Sequence, residues 1–402
     1  MNNNQSVSGG HGWLTANIVA QLTFGFLAMT ISLPSMQEWP AIFGASQATV
    51  QLTFSGYVAA FGGLQLVFGP VSDRIGRKPV MLLGQVLACA GSLLAAFAPD
   101  LDVLILARVI QGAGSAAVMV VGRAMVQDLF SGRERTRVMA VIGMTMGVCP
   151  PLGTLVGGQL HARFGWEANF VVMTGFAFAL LLAAWWGFPD TKPRSGAQAH
   201  GWRELYLGYA RLAREPAFLL YVVVLGAATA AFYTFLGGAP LVLASYGVPP
   251  ERMGWYIMCP PIAYILGNLL TTRLIGRLGD RPITMLGQVS TLCGISVVLA
   301  LGLAGLHTPL ALALPLMLMG LGHGLLVPPN LAGTVSLVPA LAGSAAAVAG
   351  LMQQMSGALG GFLVGLVSHH GPVNLALLML GWTVCGLAAQ LVLHRLFLRR
   401  RG

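Results

Sequence analysis

Reactive groups are sparse in this sequence, and those present are spaced for binding or proton transfer, not for bond cleavage. His369 and His370 stand side by side with no carboxylate or cysteine near them, and no nucleophile elsewhere is set beside a base. A hydrolytic or metal centre needs such a constellation, so an enzyme is not expected, and no cofactor or metal is implied. Two residues are instead isolated inside long apolar stretches, Arg108 and His323. An arginine there can steady an anion or hold backbone carbonyls, and a histidine can change charge in the physiological pH range. The same stretches hold a few hydroxyls and amides, among them Thr23, Thr30, Ser115, Tyr233, Tyr256, Tyr264, Gln353 and Gln354. A mostly apolar pocket takes its polar handles from such groups.

The stretches themselves define the solvent. Over 402 residues the chain is 56% hydrophobic and 8% charged, with a mean hydropathy of +0.77, against about 25% charged in an ordinary soluble domain. Crossing a bilayer takes roughly 20 apolar residues, and about twelve such runs can be read, near 13–36, 47–69, 79–98, 101–127, 137–160, 166–188, 216–244, 251–275, 282–305, 309–330, 340–367 and 372–396. The fold expected is therefore all-α and integral to a membrane. The N-terminus lacks the basic start of a secretory signal, so the first run reads as a retained helix. The five cysteines fall within apolar runs without CxxC spacing and read as small packing residues.

A net charge of +10 would suit nucleic acid, but 18 of the 22 basic residues lie in alternate loops and at the C-terminus. That is the positive-inside pattern. It places both termini in the cytoplasm of a cell that holds this chain in its inner (plasma) membrane, and it removes nucleic acid from the expected partners.

The stretch RIGRKPVMLLGQV at 74–86 returns as RLGDRPITMLGQV at 277–289, seven of thirteen positions identical at an offset of 203. Each copy falls between the second and third run of its half. The chain thus divides into a six-helix half over 1–188, a linker over 189–215 and a second six-helix half over 216–402, two pseudo-symmetric halves of one twelve-helix bundle. Within the linker, Leu205, Tyr209 and Leu212 share one side of a predicted helix over 202–214, suited to the membrane surface; a plain connector is the alternative.

These residues also resemble a family. GPVSDRIGRKP at 69–79 looks like the loop motif of the major facilitator superfamily. ARVIQGAG at 107–114, with Arg108, Gln111 and Gly112, resembles the helix-four motif of its proton-driven members. GVCPPLGTLVGG at 147–158 resembles the helix-five motif of its drug exporters. AMTISLPSM at 28–36 and SAAAVAGLMQQMSGALGG at 344–361 are similar to the bicyclomycin and chloramphenicol resistance (Bcr/CflA) branch of drug:proton antiporters. The resemblance implies that Gly69, Asp73, Arg74, Gly76, Arg77 and Lys78, with Asp128, latch the halves in the outward-facing state; a purely topogenic charge run is the alternative. Gly147, Gly153, Gly157 and Gly158 should admit a close neighbour, expected to be helices eight and two, while Pro150 and Pro151 should bend helix five as a hinge. The same offset carries Gly157 and Gly158 onto Gly360 and Gly361.

Arg108 sits where a cation costs roughly 2.5–3.5 kcal/mol on an insertion scale. Gly112, Ser115 and Met119 fall on its side of the helix, an expected cavity wall, with carbonyl-bound structural glue as the alternative. Where the branch commonly has a helix-one Asp, this chain has Thr30, and none of its 12 acids lies at mid-membrane. The interior should then favour neutral or anionic solutes over cations. His323 becomes the proton-coupling candidate, with a structural histidine as the alternative, and resemblance favours Thr30 over Asn17 and Gln21 as the helix-one residue facing the cavity. The expectation is a monomeric alternating-access transporter in contact with membrane lipids, exporting a small-molecule substrate and coupled to protons. An importer of a nutrient or metal-chelate is the rival on the same fold, and a non-transporting receptor is a remote one.

Overall fold

The computed structural model describes residues 5–189, 208–338 and 341–399, which are almost entirely helical and contain no strand. The first half runs through α1 (Gln5–Thr30), α2 (Trp39–Phe43), α3 (Gln47–Gly63), α4 (Gln65–Ile75), α5 (Arg77–Ala96), α6 (Leu101–Leu129), α7 (Gly132–Phe164) and α8 (Glu167–Gly187). The second runs through α9 (Pro216–Ser245), α10 (Pro250–Ile257), α11 (Cys259–Leu278), α12 (Asp280–Leu303), α13 (Pro309–Ser336), α14 (Ala342–Val364) and α15 (Val373–Arg399). Among the described residues ten spans, or eleven with the bent pair α3 and α4, are long and apolar enough to cross a bilayer. The 33-residue α7, whose hydropathy is diluted by charges in its first turns, completes the twelve.

Breaks do not fall where prolines alone suggest. Helix two bends by 40° at Leu64 between α3 and α4. Helix eight is interrupted at Met258, where Pro260 and Pro261 open α11 without N–H groups for the preceding turn. Helix five, where Pro150 and Pro151 are expected to bend the chain, continues as one helix through both prolines. Within the linker, residues 190–207 lie outside the described residues, so the first six residues of the predicted 202–214 helix, Leu205 included, do too. From 208 the chain is helical, and Leu212 packs into a cluster with Phe218, Val222, Ala345 and Ala349.

Each half repeats one packing plan. In the first, α7 lies on α1 and α5 on α6 and α8; in the second, α14 lies on α9 and α12 on α13 and α15. The glycine pairs set the closest approaches. A Cβ at Gly157 would strike the Ile31 carbonyl of the segment that continues α1, as one at Gly360 would strike the Ala230 carbonyl of α9. Across the halves, Gly158 meets the Pro250 carbonyl and Gly361 meets the Phe54 ring. The partners of helix five are thus helices one and eight, not eight and two; helix two packs on helix eleven.

Contacts between the halves gather at the end opposite the two loop motifs. There Gln51 Nε2 donates to the Gly237 carbonyl (3.2 Å) and Gln159 Nε2 to the Glu251 carbonyl (3.0 Å), and Gly365 packs on Ala48. An aromatic cluster of Trp39, Phe43, Trp166 and Phe170, with the Trp39 and Trp166 centroids 5.7 Å apart, plugs the same end of the first half.

Candidate functional site

The loop motif folds around Arg77. Gly76 takes φ +102°, which lets α4 end and α5 begin within one residue. That turn brings Arg77 Nη2 to 2.6 Å from Asp73 Oδ1, Nη1 to 2.6 Å from Ser72 Oγ, and Nε to 3.0 Å from Asp128 Oδ2 at the end of α6. One guanidinium thereby ties together the ends of helices two, three and four. In the repeat, Gly279 keeps the positive φ (+78°), but Asp280 stands where Arg77 stood and Gly276 where Asp73 stood. The turn is duplicated and the ion cluster is not. All of the Arg77 contacts just named lie inside the first half.

Arg108 is 1% exposed. Its Nη1 donates to the Ala28 carbonyl (2.7 Å) and to Gln111 Oε1, its Nε to the Thr53 carbonyl (3.3 Å), and its Nη2 to the Met29 carbonyl (3.5 Å). The guanidinium also stacks 4.3 Å from the Tyr57 centroid. The side of α6 expected to line a cavity is closed: Gly112 abuts the Tyr57 backbone, Ser115 bonds the Tyr57 hydroxyl at 2.9 Å, and Met119 is 2% exposed. Helices one and two occupy the room because Gly25 and Gly112 let their backbones approach. The cavity-wall expectation for this stripe is therefore corrected to a packed seam.

Thr30 does not open on a cavity, which corrects the expectation for that residue. Thr30 is fully buried, bonds the Phe26 carbonyl at 3.1 Å and packs against Gly153 of α7. Thr23, half-buried on the same side, bonds the Val19 carbonyl. Asn17 and Gln21 turn to α8, donating to the Ala183 and Leu180 carbonyls at 2.8 Å each, and Gln85 of α5 donates to Gln21. That buried amide chain was not anticipated; its sequence signal is two amides four residues apart in the first apolar run and one in the third.

Of the residues expected to bind substrate, those placed at the seam between halves belong to the second half. Tyr233 OH donates to Gln354 Oε1 (3.3 Å), its ring packs on Phe54, and Gln354 covers Gly62 of α3. Gln353 bonds Thr229 at 3.3 Å. Tyr256 and Tyr264, one on each side of the Met258 break, are half-buried, and Gly147 of α7 meets Ile265 one residue beyond. His323 lies apart from this seam, lining a small void between α9, α12, α13 and α15. Every acid among the described residues sits at a helix end or in a loop, so the interior contains the Arg108 cation and no carboxylate.

Twelve membrane helices in two repeated halves that close on each other at one end, with isolated polar groups between them, define a solute transporter. The chain belongs to the major facilitator superfamily, whose family model matches residues 15–363. It is 29% identical over 365 residues to the chloramphenicol resistance protein of Pseudomonas aeruginosa, covering 88% of this chain and 83% of that protein. It is 28% identical over 371 residues to multidrug resistance protein D of Escherichia coli (strain K12), covering 90% and 91%. It is 25% identical over 398 residues to the bicyclomycin resistance protein homolog of Haemophilus influenzae, covering 95% and 97%. These are relatives of the resistance branch that the 28–36 and 344–361 stretches resemble. Among solved structures, a bacterial homolog of the human lysosomal transporter Spinster, described as inward-facing and unoccupied, aligns with TM-score 0.76 at 15% identity over 99% of both chains. A D-xylose–proton symporter aligns with TM-score 0.75 at 14% identity, over 94% of this chain and 96% of that one. At such identities they speak for the fold alone.

Proposed function

We propose that this chain exports neutral or anionic amphiphilic small molecules across the plasma membrane by alternating access, driven by protons. The observation that carries the reading is the one-sided closure. With the loop motifs cytoplasmic, as the placement of basic residues suggests, the sealed end is the outer one and the structure is the inward-facing state, ready to load from the cytoplasm. The resistance names of the relatives support a drug-like cargo. An interior with a buried cation and no carboxylate disfavours cationic cargo, because a desolvated cation repels its like without a counter-charge. Substrate would lie in the seam, meeting Tyr233, Gln353, Gln354 and the Tyr256 to Tyr264 break, all from the second half. His323 is the residue proposed to take the coupling proton.

Transport in membrane vesicles of known orientation tests this directly. Inverted vesicles should accumulate a neutral probe such as chloramphenicol when energised, and collapsing the pH gradient should abolish accumulation. Accumulation only in right-side-out vesicles would make the protein an importer. Accumulation that survives collapse of the gradient would remove protons from the mechanism.

A further inference from the structure

A second polar route lies wholly inside the second half, apart from the seam between halves. At the loop-motif end a cavity of about 420 Å³ opens among α9, α12, α13 and α15, lined by Tyr221, Thr284, Asn330, Gln390 and His394 with apolar neighbours. Deeper in, the same four helices enclose a void of about 10 Å³ lined by Gln288, Thr291, His323, Thr383 and Gly386 among others. The two spaces are one helical turn apart on three of these helices: Thr284 precedes Gln288, Asn330 follows Leu326 and Gln390 follows Gly386, each by four residues, or roughly 6 Å at helical rise.

Polar atoms along this line have no hydrogen-bond partner within the protein. They are Asn330 Oδ1 and Gln390 Oε1 at the mouth, and Gln288 Nε2 and Thr291 Oγ1 inside. Each of the four residues is no more than 2% exposed. Buried polar groups are rarely left so, and water is their usual partner. The inner void is close to the roughly 10–15 Å³ that one water requires, and its polar lining supplies the partners such a water needs.

The internal repeat shows that this arrangement is particular to the second half. Gln288 is the repeat-mate of Gln85 and Thr291 that of Ala88. Gln85 Nε2 donates to Gln21, which in turn bonds Asn17 Oδ1 at 3.0 Å and the Leu180 carbonyl at 2.8 Å, so that only Gln85 Oε1 is left without a partner there. Helix α9 contains no Asn or Gln and turns Ala227 and Ala228 to the void. A packed amide chain in one half is thus a polar void beside a histidine in the other.

We propose that this column is a hydrated proton path from the loop-motif side to His323, separate from the substrate seam. It rests on the reading that His323 carries the coupling proton, which an exporter driven by inward proton flow releases to the cytoplasm. One proton adds to the unprotonated ring nitrogen, the imidazolium carries the single positive charge, and water in the void accepts its N–H. On deprotonation the proton returns to that water. The lining of the inner void offers no other titratable group from α9, α12 or α15. At the mouth stand Tyr221, Asp280, Arg281 and His394; α11 brings Tyr264 near the neighbouring Gly324, and α14 has no titratable residue.

Histidine C2–H exchange in D2O, followed by mass spectrometry on the full chain in lipid nanodiscs, reads nitrogen access residue by residue. His323 should exchange with a sigmoidal pH profile. Gly386→Ala, whose Cβ would lie 3.2 Å from Ala227 Cβ and 3.5 Å from Gln288 Nε2, should slow that exchange several-fold. Gln390→Leu at the mouth should do the same, and His307 and His369 at the opposite end should keep their rates in both variants. A His323 that does not exchange in wild type, or that is indifferent to both substitutions, would overturn the path. Failure of the coupling reading shows separately, as wild-type transport that ignores collapse of the pH gradient while His323 still exchanges.

Discussion

Arg108 is a residue whose chemistry was plain from its position and whose employment was not. A lone cation in an apolar run must find acceptors, but whether these are substrate atoms or carbonyls depends on how near the adjacent backbones come. Here Gly25 and Gly112 bring helices one and two close enough that three carbonyls and Gln111 take the guanidinium, leaving it 1% exposed. We expect Arg108→Gln to lower thermal stability in detergent by about 1.5–3 kcal/mol, the usual scale for hydrogen bonds to a charged group, and Ser115→Ala to cost clearly less. Arg108→Lys should rescue little, since a point charge on a flexible stem cannot span the same fork of carbonyls. Ligand affinity per folded molecule should be retained in Arg108→Gln. Near-native stability with lost affinity would return Arg108 to the binding site.

At the scale of elements, what could be read in the sequence were the runs, their pairing into halves and the glycine pairs, because each leaves a periodic or repeated trace. The turn at Gly76 and the Arg77 cluster followed from a short contiguous motif. The neighbour of helix five did not: Gly157 and Gly158 announce a close approach but not what approaches, and helix one fills the place expected for helix two. Nor did the bend at Leu64, although the Gly62–Gly63 pair that ends α3 stands directly before it. The second motif copy keeps basic residues at Arg277 and Arg281 but has Gly276 and Asp280 where the first has Asp73 and Arg77, so the Arg77 cluster has no counterpart there. If it steadies the loop-motif end against helix eleven when that end closes, Arg77→Ala and Asp73→Asn should impair transport while leaving membrane insertion unchanged. Thiol labelling of single cysteines at the motif end should rise in both variants, reporting a shift to the inward-facing state. Unchanged transport and labelling would reduce the cluster to a topology signal.

At the scale of the whole molecule, the contacts described between the halves gather toward one end, and the alternating access proposed above requires them to break. The seal is built for that. It uses small residues and single hydrogen bonds such as Gln159 to the Glu251 carbonyl and Gln51 to the Gly237 carbonyl, each worth about 1 kcal/mol, and among the described residues no ion pair joins the halves at that end. A few kcal/mol of differential substrate or proton binding is then enough to shift the equilibrium between states. Joining Gln159→Cys to Glu251→Cys, in a background without the five native cysteines, should form a disulfide in the resting protein, because these residues already meet. Oxidation should stop transport, reduction should restore it, and the loop-motif end should stay open to thiol reagents throughout. Ligand binding from that side should persist in the oxidised form, since only the exit is locked. Full transport with the disulfide intact would mean that the outer seal never opens there, and that substrate leaves by another route.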